Sequence, residues 1–483
     1  MMKRLKNIYK LLALIPLVLI AGSCGDDFLD LDPPLQVPNE DFLKNVDDFQ
    51  AAINGAYDQM QLADYYGRYF LLIPDIMGED IKQNASANRG KEWAEYNGAP
   101  TTNQNEHREF WAEIYEIINM ANLMINSDFE SVPSRQEEFN NLIGQAYAIR
   151  ALAHFDLVRL FAQTYVFTSD ASHPGVPIVT EFDREARPAR NTVAEVYAQV
   201  ISDFEEAISL LTITPKSTGV ISKEAVQALL SRVYLYMERY EDAEDLATEV
   251  ISGGRFELVS RDKYADQFFD GGSSEAIFEV IFNLVDNPGA DHLGGMYKES
   301  GYGDYLPSRQ LFALFEDDDI RGTLFIEDDN LDDGIYADAD GVGRRVYKYP
   351  SEGPDIATDN LPVIRLSEVI LNRAEARARD GDDVGALADL NLIRERAGIT
   401  ELDGLAGQPL VDAILEERRR ELFAEGHRVF DITRHKLNVV RTDCTAPDNA
   451  CTINYPNDRF ILPLPQEETD VNKTIKQAPG YGI

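Results

Sequence analysis

Apolar residues recur at helical spacing along most of the chain and lose that rhythm in two long stretches. The clearest run places Val193, Val196, Tyr197, Val200, Ile201, Phe204, Ala207, Ile208 and Leu211 on one face. A linker-like start at 35–60 leads into a face of Phe49, Ile53, Ala56, Tyr57 and Met60, and Phe110–Ile125 carries Trp111, Ile114, Ile117, Ile118 and Ala121. Helices are also predicted over Gly144–Phe161, Ser222–Met237, Tyr240–Ile251, Ser367–Arg379 and Asp383–Ala397. Small residues such as Ala374, Ala378 and Ala386 let antiparallel helices approach closely. The pattern therefore predicts a mostly α scaffold of about four divergent helix pairs, with little β. The rhythm lapses over 61–105 and again from Arg255 to Tyr349, where Ala276–Leu284 reads as a strand. Both stretches are expected to be large irregular loop insertions, and long ordered loops tend to carry function.

Within the helical part, Tyr234, Ala243, Ala247 and Val250 stand at the relative spacing of the large and small packing positions of a tetratricopeptide-like repeat. The densest charge lies in Asp412–Lys436. Ile414, Leu415, Leu422 and Phe423 keep helical spacing there, Gly426 reads as the stop, and Val429, Phe430 and Ile432 follow among Arg428, Asp431 and Arg434. Such interleaving suits a junction where buried Arg–carboxylate pairs join crossing elements. A catalytic alternative would use Glu425, His427 and Asp431 as acid/base groups. Trp111 and His154 fall on predicted core faces and are read as packed side chains.

Charge narrows the function. The 483 residues hold 84 acids against 45 bases, a net charge of −39. That field repels nucleic acid and anionic lipid. At the N-terminus, Lys3, Arg4, Lys6 and Lys10 precede the apolar run Leu11–Ile20, the small residues Ala21-Gly22-Ser23 and then Cys24. The run is too short to span a membrane and reads as an export signal over 1–23. Cys24 stands where a lipobox cysteine would be acylated, although Ala21 occupies a position that usually holds Leu. Loss of four bases with the signal leaves 41 against 84 acids, or −43. Cys444 and Cys451, the other two cysteines, are expected to close a local disulfide.

Phosphate-binding, zinc-protease and nucleophile-elbow motifs are absent from the sequence, so no catalytic residue, metal or cofactor is assigned. Asp338-Ala339-Asp340-Gly341 hints at a calcium loop, but Tyr336 and Tyr347 occupy positions that need acids. The acidic run is expected to be a solvated loop.

Several ordered motifs resemble one family. Gly25–Pro34 after Cys24 is similar to a C-x-D-F-L-D-x-x-P start. Gly144–Phe161 resembles R-A-x-x-x-F-D-L-V-R-x-F, and Glu417–Arg434 resembles E-R-R-x-E-L-x-x-E-G-x-R-x-F-D-x-x-R. Phe460–Pro465 and the tail Asn472–Tyr481 resemble the closing pattern F-P-I-P-x-x-E followed by Q-N-P-G-Y, with Ala478 where Asn is usual. These are signatures of the SusD/RagB family, outer-membrane lipoproteins of nutrient uptake in Bacteroidetes. The resemblance implies a SusD-like N-terminal part over 24–255, packed with a C-terminal part over 256–483. It implies a non-enzymatic, surface-exposed protein, lipid-anchored at Cys24, that captures glycan oligomers for a SusC-like TonB-dependent transporter. RagB-like peptide capture is the alternative, and a surface glycosidase or peptidase a third. Flat aromatic rings stack on the apolar faces of sugar rings. The candidates for that role are Tyr65, Tyr66, Trp93 and Tyr96 in the first insertion and Tyr297, Tyr302 and Tyr305 in the second.

Overall fold

A computed structural model describes residues 42–84, 101–103, 105–331, 341–350, 357–444 and 448–481. About 52% of it is helical, which settles the class as mostly α. Helix α1 (Val46–Met60) starts on a reciprocal cap in which Asn45 accepts from the Asp48 amide and Asp48 accepts in return. Its apolar face, led by Phe49 and Ile53, is buried. The Phe49 ring meets Phe139 edge-on with centroids 4.9 Å apart. The fully buried α2 (Tyr69–Met77) and strand β1 (Ile81–Gln83) follow. Helices α3 (Asn105–Ile125), α4 (Gln136–Phe161) and α5 (Val193–Leu210) then pack in sequence. Gly144 makes the α4–α5 approach possible, because a Cβ there would stand 3.0 Å from Leu210 Cβ. Arg150 of α4 grips Asp203 of α5 with two hydrogen bonds of 2.8 and 2.7 Å, both partners buried.

The repeat-like pairs come next. Helices α6 (Lys223–Tyr236) and α7 (Tyr240–Ser252) form one, and α8 (Leu366–Asp380) with α9 (Asp383–Ala397) the other. Helix α7 touches both α6 and α8, so the two pairs stack although more than a hundred residues separate them. Ala243, Ala247, Ala374 and Ala386 lie buried at these contacts, as the small-residue spacing requires. Gly381 and Gly398, both left-handed, end α8 and α9.

Between the pairs runs the second aperiodic stretch, stiffened by two-stranded ribbons. Strand β2 (Ala276–Val280) is antiparallel to β6 (Leu361–Arg365), β3 (Tyr305–Pro307) pairs with β1, and β4 (Phe325–Glu327) pairs with β5 (Arg344–Val346). The predicted strand over 276–284 stops at Val280. Asn283 then accepts from the amides of Val285 and Asp286 and turns the chain. Helix α10 (Gln408–Glu421) and α11 (Arg428–Arg434) form the charged junction, and α12 (Gln466–Val471) lies near the C-terminus. One contiguous apolar core includes Val46, Phe204, Phe278, Val369 and Ile475, so it draws on the whole length of the described chain.

Two expectations change. Residues 61–84 are less irregular than their pattern suggests, because α2 is buried on every side and so has no polar face to give a helical period. Gly426 does not end the first junction helix, which stops at Glu421. Its φ of 76° instead lets the chain press against α2: a Cβ would stand 2.8 Å from Leu71 Cα.

Candidate functional site

The charged junction is a buried ionic lattice. Glu421 accepts from Arg365 and Arg396, each at 2.6 Å, while Arg321 bonds Glu417 at 2.6 Å and Asp319 at 2.7 Å. Glu425 is held by Lys348 at 2.5 Å and Arg365 at 2.8 Å. Asp431 lies between Arg418 at 3.2 Å and Arg434 at 2.7 Å. Burial opposes charge on Glu425 and Asp431, but the adjacent cations win and hold both carboxyls below their ordinary range. Burial pushes His427 down to about 4, against the pull of Glu368. Every group that an acid/base reading would use is thus buried among partners, and the lattice locks α10 to the second aperiodic stretch and α11 to α10 and α8.

The aromatic candidates separate into three sets. Tyr65 and Tyr66 are core residues. Both phenols donate to buried Asp156, at 2.6 and 2.9 Å, and burial followed by the Asp156 charge raises them well above the ordinary phenol range. With 1% exposure each, neither has a face for a ligand. Tyr297 and Tyr305 are also enclosed, at 1% and 0%. Tyr302 alone of the described candidates is part-exposed. Trp93 and Tyr96 lie outside the described residues, as do Cys24 and the Asp338–Asp340 stretch. The Cys444–Cys451 disulfide is formed. Among the described residues no group of three His, Cys, Asp or Glu could hold a metal ion.

Tyr302 sits on a segment where several loop ends meet. Asn84 donates to Gly303 O at 2.9 Å, and Asn330 donates to Glu299 at 3.0 Å. His292 donates through Nε2 to Asp359 O at 3.1 Å. The flanks of 85–100, 332–340 and 351–356 are therefore all tied to residues 292–303. The far flank of the first stretch is fixed elsewhere: Thr102 O accepts from the Gln466 amide at 2.8 Å, at the start of α12.

Beside α12 opens a cleft of about 510 Å³, a volume typical of small-ligand sites. Helix α3, the 177–188 loop and residues 467–475 form its walls. Trp111 is 3% exposed, with its ring 4.9 Å from Tyr115 and 4.8 Å, edge-on, from Phe161. It is a core residue, as its helical spacing suggests, and it also backs the cleft. Glu468 also lines the cleft, and burial raises its carboxyl above the usual range. Phe182 and Val471 stand 44% and 66% exposed on opposite walls. No sequence pattern marks this cleft as a site, because its walls come from three segments, two of them some sixty residues apart and the third near the C-terminus.

The comparisons agree with this architecture. The model described as "SusD family" matches residues 341–481, and the one described as "Starch-binding associating with outer membrane" matches 27–235. A SusD superfamily protein from Bacteroides thetaiotaomicron superposes with a TM-score of 0.79 at 31% identity, over 90% of this chain and 100% of that one. The chain belongs to the SusD family. It is 28% identical to SusD-like protein P2 of Formosa agariphila, over 98% of this chain and 99% of the relative. The starch-binding protein SusD of Bacteroides thetaiotaomicron is 30% identical over 161 residues, which are 31% of this chain and 28% of that one. The ionic lattice around α10 and α11 has its helices inside the C-terminal SusD match, whereas the segment bearing Tyr297, Tyr302 and Tyr305 lies between the two matched stretches.

Proposed function

We propose that this SusD family member is a glycan-capturing lipoprotein, anchored at Cys24 on the outer-membrane surface, that hands oligosaccharides to a SusC-like TonB-dependent transporter without cleaving them. The carrying observation is a likeness to a SusD superfamily structure over 90% of the chain. The relative named for starch binding adds the ligand class. The export signal and Cys24 supply the anchor in sequence. The meeting of loop flanks at 292–303 supports a capture face that includes Tyr302, and Trp93 and Tyr96 are proposed as further stacking residues on their sequence alone.

The test is a screen of the lipid-free mature protein against neutral glycans and a peptide pool, repeated with Trp93→Ala. Saturable binding of a glycan, lost or weakened in the variant and with the glycan recovered intact, is the expected result. Binding of peptides alone would move the protein to the RagB-like class, and shortened glycan products would make it an enzyme.

A further inference from the structure

We infer that the cleft between α3, the 177–188 loop and the C-terminal segment is a second saccharide subsite, selective for uncharged oligosaccharides. This rests on the glycan-capture reading above and adds a location and a ligand class to it. The cleft shares no residue with the 292–303 face.

Its walls are fixed before any ligand arrives. Tyr115 donates to Pro177 O at 2.8 Å, Asn122 to Val179 O at 3.0 Å and Asn126 to Thr180 O at 2.8 Å, which binds one end of the loop to α3. Asn472 donates to Pro188 O at 2.6 Å and Thr474 to Arg187 O at 2.8 Å, which binds the other end to the C-terminal segment. Between these ties the loop carries Phe182 outward. A rigid scaffold that presents an exposed ring limits the ordering entropy lost on binding.

The lining also suits a sugar. Phe182 offers an apolar face for a pyranose ring, Val471 an apolar counterpart, and the carboxylates and guanidinium groups around them can bond hydroxyls. The lining holds four carboxylates (Glu181, Asp183, Glu467 and Glu468) and two cations, Arg184 and Arg187, while Glu467 also pairs with Arg108 at 3.2 Å. With the chain's own net charge of −39 behind them, they disfavour uronic or sulfated oligomers. Neutral sugars meet no such barrier.

The experiment is calorimetric titration of the lipid-free mature protein at low ionic strength. The ligands are maltohexaose, xylohexaose and mannohexaose as neutral probes, and oligogalacturonate as the anionic one. At least one neutral hexasaccharide should bind, more tightly than oligogalacturonate. Phe182→Ala should weaken it roughly five- to tenfold, the loss expected of one stacking ring, with an unchanged thermal midpoint because Phe182 is exposed. Unchanged affinity in Phe182→Ala, with wild-type binding intact, would refute the subsite and leave glycan capture standing. Tighter binding of oligogalacturonate would refute the ligand class. Failure of every saccharide to bind would overturn both readings.

Discussion

At the scale of single residues, two buried histidines that accept backbone amides contribute to how stability responds to acid. His154 accepts the Val179 amide on Nε2 at 3.2 Å while its Nδ1 faces Arg150 O at 3.0 Å. His292 accepts the Gly294 amide on Nδ1 and donates from Nε2 to Asp359 O. Each ring must stay neutral to accept an N–H, and burial pushes them down to about 4 and about 3. The unfolded chain protonates both near pH 6.5, so stability is complete above that pH and falls as pH drops towards the folded values. Asp75 works the other way: burial raises it to about 7, which favours the folded state as pH falls below 7. Urea midpoints measured from pH 7 to 5 should therefore fall less steeply in His154→Gln than in the parent. The difference should approach about 1.4 kcal/mol per pH unit, the share of one proton. Parallel slopes would show that His154 is not held neutral.

Carboxylates at the junction give a second residue-scale prediction. Glu421, fully buried, compensates Arg365, Arg396 and Arg321. Glu421→Gln should cost about 3–5 kcal/mol in denaturant unfolding, as breaking a buried ion pair does. Arg135→Ala, which breaks solvent-facing pairs with Glu138 and Asp47, should not move the midpoint measurably. Equal effects would mean that the lattice adds no more than a surface pair.

At the scale of elements, glycine positions separate two kinds of constraint. Gly426 combines a left-handed φ with a Cβ site 2.8 Å from backbone, whereas Gly381 has φ 94° and nothing within 4 Å. Gly426→Ala should cost more than about 2 kcal/mol, and Gly381→Ala about 1 kcal/mol, when thermal or urea midpoints are compared. A reversed order would contradict the α2–junction contact. The same elements show what the sequence could disclose. The five-turn stripe of Val193–Leu211 faces one core and announces α5 almost to the residue. Helix α2 is equally regular, but its enclosure removes the polar face on which periodicity depends. Tyr65 and Tyr66 illustrate a related ambiguity, since adjacent tyrosines in a stretch rich in Asn read as a surface platform. Only the fold brings Asp156, some ninety positions away, beneath both hydroxyls. Phe182 carried no motif at all, and Glu468 stood only as the Glu of the closing F-P-I-P-x-x-E pattern, because their place beside the cleft depends on three segments converging.

For the whole molecule, the helical scaffold, the charged junction and the 292–303 segment share one core. A rigid helical body locked by an ionic lattice carries the segment at 292–303 and the cleft beside α12. No described helix is long and apolar enough to cross a membrane. The claim that unites these features is capture without turnover. The most direct test is to titrate the mature protein with a neutral hexasaccharide by calorimetry and then recover the ligand for chromatography. Saturable heat with every hexasaccharide molecule returned intact is the predicted result. No heat from any saccharide, or the appearance of shorter sugars, would contradict it.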